Sequence, residues 1–334
     1  MLRENYSLLS HNTFRMDVNC SYFFEYQTVD ELCNFLASKL FVNNKSLNVG
    51  CGSNLLFRSD YDGIIMHSQI KGVQVEEMTA DEAFLRAGAG EIWDDVVCFA
   101  VEHDLYGMEN LSAIPGTVGA SVVQNIGAYG VEVKDVVDAV ETVEIATGRK
   151  VVFDADDCRF AYRNSVFKTA FANRYIVTSV RYRLRRTPCF NLAYGNISKV
   201  MEGRELNLRN LRDAIVEIRR AKLPDPAEYG NAGSFFMNPV VSESCLAEIQ
   251  KEFPQVPFYA LPDGNAKIPA AWLIEQCGWK DNPTEHVAVW QTQPLVMINR
   301  GGAKPSEIVD FSQRIISSVS EKFGIRISPE VIFV

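Results

Sequence analysis

The chain has 334 residues, with hydrophobic residues at 47% and charged residues at 22%, values that exclude a disordered, collagen-like or rod-like composition. At roughly 150 residues per domain the length predicts two or three domains and a core that needs no disulfide staples. A formal charge of -9 argues against bulk nucleic-acid binding while leaving room for a local anion site.

Residues 28–40 predict the first helix. Thr28 suits its N-cap, Glu31 takes the reciprocal capping-box position, and Leu32, Phe35, Leu36 and Leu40 share one face. A strand over 46–49 runs into the turn Gly50-Cys51-Gly52-Ser53-Asn54, and strands follow at 63–67 and 83–87. Residues 92–103 predict a helix, with Val96, Val97, Ala100 and Val101 at helical spacing. From Gly107 to Gly130 five glycines and Pro115 bring backbone freedom, suited to close approach of a ligand. Residues 131–140 show no clear period. A hairpin is expected over 142–153, turning at Thr147-Gly148. Ile176, Thr178, Val180, Tyr182 and Leu184 alternate as a strand. Residues 208–220 predict a helix with Leu211, Ile215 and Ile218 on one side. Lys222-Leu223-Pro224-Asp225-Pro226 ends it and marks a domain boundary. A helix at 270–276 and a strand at 295–299 come next. A long helix over 305–323 carries the stripe Ile308, Phe311, Ile315, Val319 and Phe323. The tail reads as a strand after Pro329.

The eight cysteines include no Cys-x-x-Cys pair, and the four histidines are scattered, so neither a disulfide framework nor a metal site is expected. The first residues lack the apolar core of a signal peptide, and no run of 18 apolar residues occurs. The expectation is a cytoplasmic, soluble monomer with no membrane or nucleic-acid partner.

Neither Gly50-Cys51-Gly52-Ser53-Asn54 nor Gly88-Ala89-Gly90 matches the dinucleotide fingerprint. Leu55 and Trp93 stand where a third glycine would permit helix-on-strand packing. Taken alone, each loop reads as a tight turn. Together, Gly50-Cys51-Gly52-Ser53-Asn54 and Ile114-Pro115-Gly116-Thr117-Val118-Gly119-Ala120 supply amides with few side chains in the way, a concavity suited to an anion. Gln124-Asn125-Ile126-Gly127-Ala128-Tyr129-Gly130 adds side-chain amides that can read polar ring edges. The trio suits a pyrophosphate-bearing cofactor held outside a Rossmann frame. A side chain at Gly116 or Gly119 is then expected to intrude on the pyrophosphate.

These three segments, with Asn12-Thr13-Phe14, Leu55-Leu56, Tyr162-Arg163, Ala232-Gly233-Ser234-Phe235-Phe236-Met237-Asn238-Pro239 and Pro329-Glu330-Val331, occur in the order seen in one family. The chain resembles the UDP-N-acetylenolpyruvoylglucosamine reductase family, in its longer form, over nearly its whole length. The resemblance implies an α+β chain with an FAD-binding fold of the vanillyl-alcohol-oxidase type, built of two α+β subdomains (1–70 and 71–223). It adds an α+β substrate-binding domain (224–326) and a strand (327–334) returning to the flavin. It implies an NADPH-dependent oxidoreductase acting on a CH–CH bond. NADPH reduces FAD, and the enolpyruvyl UDP-sugar then takes hydride from it.

By resemblance, Gly50, Gly52, Ser53, Asn54, Leu55, Ile114, Pro115, Gly116, Val118, Gly119, Ala120, Gln124, Asn125, Gly127, Ala128 and Tyr129 hold FAD. Arg163 stabilises the substrate carboxylate as charge develops, a task suited to a guanidinium. Ser234 donates the proton, and Glu330 supports the intermediate. Tyr162, Tyr194, Lys222, Asn238, Lys280 and Gln293 contact the UDP-sugar. From the residues alone, Arg163 reads as a surface arginine. Glu330 reads as either exposed or buried and paired, and Ser234 as a turn residue. Two alternatives carry the same motifs: another flavin oxidoreductase of this fold, and a nucleotide-sugar-binding protein without turnover.

Overall fold

The computed structural model describes all 334 residues. By internal contacts the chain forms two units. The first takes residues 1–7, 19–51 and 61–220, and the second takes 8–18, 52–60 and 221–334. No helix is long and apolar enough to cross a membrane.

The first unit holds two large sheets and a two-stranded ribbon, Gly127–Ala128 with Val131–Glu132. β1 (Leu2–Ser7), β2 (Asn19–Tyr26), β3 (Ser46–Asn48) and β4 (Tyr61–Ser68) lie in the order β1-β2-β4-β3, antiparallel only between β1 and β2. Phe24, Tyr26, Ile64 and Met66 pack there against Leu32, Phe35 and Leu36 of α1 (Val29–Leu36). The Thr28 hydroxyl accepts the Glu31 amide at 3.1 Å, as the capping reading expects. The Glu31 carboxylate, however, accepts from the Gln27 amide at 2.8 Å, one residue upstream of the cap. The expected single helix over 28–40 is two. Ser38 caps a separate turn, Lys39–Val42, accepting the Phe41 amide at 3.2 Å, and a serine that bonds local backbone competes with helix continuation. β1 escapes sequence reading because all of it but Tyr6 is exposed, so its ladder holds it rather than an apolar face.

In the second sheet β5 (Val73–Met78), β6 (Glu82–Gly88), β7 (Val137–Glu144), β8 (Lys150–Asp154) and β9 (Tyr175–Arg185) lie in the order β8-β7-β9-β6-β5, all antiparallel. The expected 142–153 hairpin is the β7–β8 pair, and the alternating strand is central β9. Val180, Tyr182 and Leu184 of β9 meet Trp93, Val96, Val97 and Ala100 of α2 (Trp93–Glu102) in one core. Each fully buried aliphatic side chain there contributes about 1.5–3 kcal/mol. The glycine-rich stretch hides a helix, α3 (Val118–Gln124), capped by Thr117 and ended by Asn125 at φ +48°. A seven-residue helix leaves too short a period to see in sequence. The last helix of this unit, α4 (Leu208–Lys222), buries Leu208, Leu211, Ala214 and Ile215.

The second unit centres on β10 (Gly230–Ser234), β11 (Val287–Trp290) and β12 (Gln293–Asn299), antiparallel in the order β10-β12-β11. α5 (Ala270–Gln276) and α6 (Pro305–Phe323) occupy the expected residues, and α6 buries its apolar stripe and ends at Gly324, φ +67°. The tail is strand only at Ile332–Phe333. It pairs in parallel with Leu55–Leu56, so 52–60 belongs with the C-terminal region through backbone pairing across some 277 residues, which no local pattern encodes.

Candidate functional site

In the first unit the structure sets Gly50 against the second glycine loop. A Cβ on Gly50 would lie 2.6 Å from Thr117 Oγ1 and 3.5 Å from Ala120 Cβ, so this approach requires glycine. Gly116 has φ +132°, a backbone conformation side chains rarely adopt. The amides of Val118 and Gly119 donate to the Glu91 and Ala89 carbonyls, each at 2.9 Å, and the Ala120 amide to Thr117 Oγ1 at 3.4 Å. Those three donors of the expected anion nest are already committed within the protein. Packing also keeps Gly119 small. Its missing Cβ would meet Ala89 Cβ at 3.1 Å and Ala89 O at 3.3 Å, so glycine there closes α3 onto the end of β6.

The third segment is bound in place. Asn125 is fully buried. Its Nδ2 donates to Ala161 O at 2.8 Å and Glu132 Oε2 at 3.1 Å, and its Oδ1 accepts from the Lys134 amide. This side chain holds loops together, with both Nδ2 hydrogens committed within the chain. Gln124 Oε1 accepts from Lys168 Nζ at 2.8 Å, and Lys168 also donates to the Arg163 carbonyl at 3.1 Å. Tyr129 has φ +50°. Burial raises its hydroxyl pKa, and the hydrogen-bonded Arg219 opposes that rise.

Tyr162 and Arg163 form the tip of a two-residue turn closed by reciprocal 2.9 Å bonds between Ala161 and Asn164. Arg163 has φ +55°, a strained conformation for a side-chain-bearing residue. One guanidinium nitrogen donates to Gly127 O at 2.7 Å, and the group lies 5.3 Å from the Tyr162 ring centroid. Any Cβ on Gly127 would press on this guanidinium at 3.0 Å. Arg163 is thus an oriented cation, not a loose surface side chain. Tyr194 is 41% exposed, beside Gly130.

In the second unit Ser234 ends β10 just after an irregularity. Asn231 pairs with Ile298 but Ser234 with Val296, leaving one extra residue around Gly233, φ +66°. Such a bulge re-aims the side chain that follows it. Asn231 Oδ1 accepts the Gly233 amide at 2.9 Å and supports the bulge. The returning chain runs beside it: Phe236 bridges Pro329, and the Glu330 amide donates to Phe235 O at 2.8 Å. Asn54 Nδ2 donates to Glu330 O at 3.3 Å, and Ile332 N donates to Asn54 O at 3.0 Å. The segments carrying Ser234, Glu330, Asn54 and Leu55, spread over the whole sequence, are therefore linked by a chain of hydrogen bonds. Gly52, at φ +63°, abuts His11 and Asn12, where no Cβ fits. Asn12 clamps its loop through Leu8 O, Met16 O and the Met16 amide. Thr13 Oγ1 is out of water and bonded to nothing in the chain. An orphaned hydroxyl among tight glycine turns fits a polar ligand such as a nucleotide cofactor.

Lys222, Lys280 and Gln293 also come together. The β11–β12 turn bonds both lysine carbonyls, Thr292 Oγ1 to Lys222 O and Gln291 Nε2 to Lys280 O, each at 2.8 Å, and Gln293 follows in the same turn. Lys280 Nζ also pairs with Glu275 at 2.6 Å. Asn238 does a structural job, its Oδ1 accepting the Ala270 amide at the start of α5. Its amide nitrogen is the part left for a ligand.

Sequence reading missed the support behind Ile114. Ala113, at φ +57°, donates its amide to Asp94 Oδ1 at 2.5 Å and accepts at its carbonyl from Arg219 Nε at 3.3 Å. Arg212 grips Asp94 with two 2.8 Å bonds. Aspartate and arginine on separate helices have no spacing signal that would reveal them.

Residues 21–154 match an FAD binding domain, and residues 225–334 match the C-terminal domain of UDP-N-acetylenolpyruvoylglucosamine reductase. The chain is 48% identical over 334 residues to the UDP-N-acetylenolpyruvoylglucosamine reductase of Bacteroides fragilis (strain YCH46), covering all of both chains. It is 43% identical over 335 residues to that of Porphyromonas gingivalis (strain W83), covering 100% of this chain and 99% of the relative. In fold it is similar to the crystal structure of UDP-N-acetylenolpyruvylglucosamine reductase from Thermus caldophilus. That likeness has a TM-score of 0.70 at 20% identity, over 100% of this chain and 99% of the other.

Proposed function

The chain belongs to the UDP-N-acetylenolpyruvoylglucosamine reductase family, and on that premise we propose the full reaction: NADPH-dependent reduction of UDP-N-acetylglucosamine enolpyruvate to UDP-N-acetylmuramate. It is a reductase of peptidoglycan precursor synthesis with an FAD-binding domain. FAD, when bound, supplies the two-electron link between NADPH and the enol ether.

The chain's own residues supply the remaining requirements. Hydride delivered to the vinyl methylene leaves negative charge on the neighbouring carbon and its carboxylate, and that carbon then needs a proton. Arg163 meets the carboxylate. Its tether to Gly127 O pre-orients the guanidinium, so little ordering is needed when charge develops. Ser234 gives the proton, and Glu330 supports the developing charge beside it. By the family's pattern, Gly50, Gly52, Gly116 and their neighbours contact the cofactor, and the orphaned hydroxyl of Thr13 is added to the set. Tyr162, Tyr194, Lys222, Lys280 and Gln293 hold the UDP-sugar, and Asn238 contributes through Nδ2.

The observation that carries this reading is the Phe235–Glu330 backbone bond. It holds the backbone of Glu330 against the residue that follows Ser234, joining two segments far apart in the sequence. The test is Ser234→Ala in stopped-flow absorbance, with NADPH and enol-ether halves of turnover read separately. The NADPH half stays intact and the enol-ether half slows by about 10²–10⁴-fold. Ser234→Cys retains more activity than the alanine variant. Equal slowing of both halves refutes the proton-donor role.

A further inference from the structure

Asn110 lies in a one-turn 3-10 helix, Glu109–Leu111, outside every motif that identifies the site, and is only 1% exposed. Its Nδ2 donates both hydrogens to backbone carbonyls from distant parts of the first unit, Tyr129 O at 3.0 Å and Asn191 O at 2.9 Å. Its Oδ1 accepts from no group of the chain. The amide orientation follows from its partners, since a flip would set an oxygen against two carbonyls. Around this bond the two segments lie close. Asn191 Nδ2 donates to Gly130 O at 3.3 Å. A Cβ on Gly130 would lie 3.5 Å from Tyr194 Cβ, and one on Gly195 3.5 Å from Tyr129 Cδ1. Tyr194 thus rides on a strap into which one buried asparagine side chain is fastened. Phe190 and Leu192 of the strap pack on the core of α4, which anchors the strap's body.

We propose that Asn110 is the positioning residue for Tyr194: it fastens the 190–195 strap to the 127–130 loop and so sets the tyrosine that meets the UDP-sugar. The proposal rests on the reading of Tyr194 as a substrate contact. Aspartate is the isosteric test, because it cannot donate and would set carboxylate oxygens against both carbonyls. In the FAD-loaded protein, chymotryptic cleavage after Phe190, Leu192 or Tyr194, located by mass spectrometry, reads the strap directly. Asn110→Asp is expected to speed that cleavage about tenfold or more. It is expected to raise KM for the UDP-sugar as far as Tyr194→Ala does, with the NADPH half of turnover unchanged. The double variant raises KM no further than either single one. Parent-like cleavage in Asn110→Asp overturns the proposal. So does a parent-like KM in Asn110→Asp when Tyr194→Ala raises it. An unchanged KM in Tyr194→Ala refutes the substrate role of the tyrosine instead, and cleavage alone then decides whether Asn110 is the fastening. If the aspartate variant does not retain FAD, Asn110→Ser replaces it, since serine buries no charge and donates one hydrogen at most. Parent-like cleavage in that variant overturns the proposal equally.

Discussion

Asp94→Asn isolates the charge that holds Ala113, the residue leading into the second glycine loop. The carboxylate takes two 2.8 Å bonds from Arg212, and their side chains are 29% and 14% exposed. It also accepts the Ala113 amide. Breaking a fully buried pair costs about 3–5 kcal/mol because the survivor is left uncompensated. Here Asp94 keeps partial access to water, and an asparagine oxygen can still accept from Ala113. The expected loss is therefore about 2–3 kcal/mol, measured as a shift of the urea midpoint at unchanged slope. Arg212→Met added to Asp94→Asn recovers part of it, since no charge is then stranded. The pH dependence has a definite sign. Burial alone would raise the Asp94 pKa, but bonds from Arg212 and Ala113 outweigh it and hold the pKa below the usual range. Its contribution is then full above the unfolded value near about 3.9. It fades as pH falls through the lower folded value. The gap between parent and variant narrows only below about pH 4. A loss under about 0.5 kcal/mol, the scale of an exposed pair, would refute the claim that this pair is a structural clamp.

Gly119→Val places new atoms against Ala89, so about 1–3 kcal/mol of folding stability is lost. Loss of FAD affinity with unchanged unfolding would favour the pyrophosphate explanation over packing. Glu109 is buried, and burial raises its pKa. Its neutral form is accommodated at low pH, and stability declines as pH rises through the raised value. Glu109→Gln therefore gains on the parent with rising pH in urea titrations, whereas parallel profiles would show that the carboxylate titrates normally.

Helices α1, α2, α4, α5 and α6 and strand β9 were legible because each has an apolar period of its own, which burial against any neighbouring layer enforces. The family was legible from motifs in order, and with it the FAD and the reductase chemistry. Strand β1, helix α3 and the Leu55–Leu56 pairing were not, since an exposed ladder, a seven-residue helix and a long-range parallel pair leave no local pattern. The same limit divides the site. The family resemblance, not the residue types alone, named Arg163, Ser234 and Glu330 as candidates. Only the folded chain shows that Arg163 is tethered at a strained turn, that Ser234 follows a bulge, and that the Glu330 backbone returns beside Phe235. It likewise spends Asn125 and the Oδ1 of Asn238 on structure, and it reveals Asp94, Arg212 and Asn110 as supports. Hydrogen bonds between residues tens of positions apart satisfy groups that the local sequence leaves open, so the partners exist only once the chain has closed on itself.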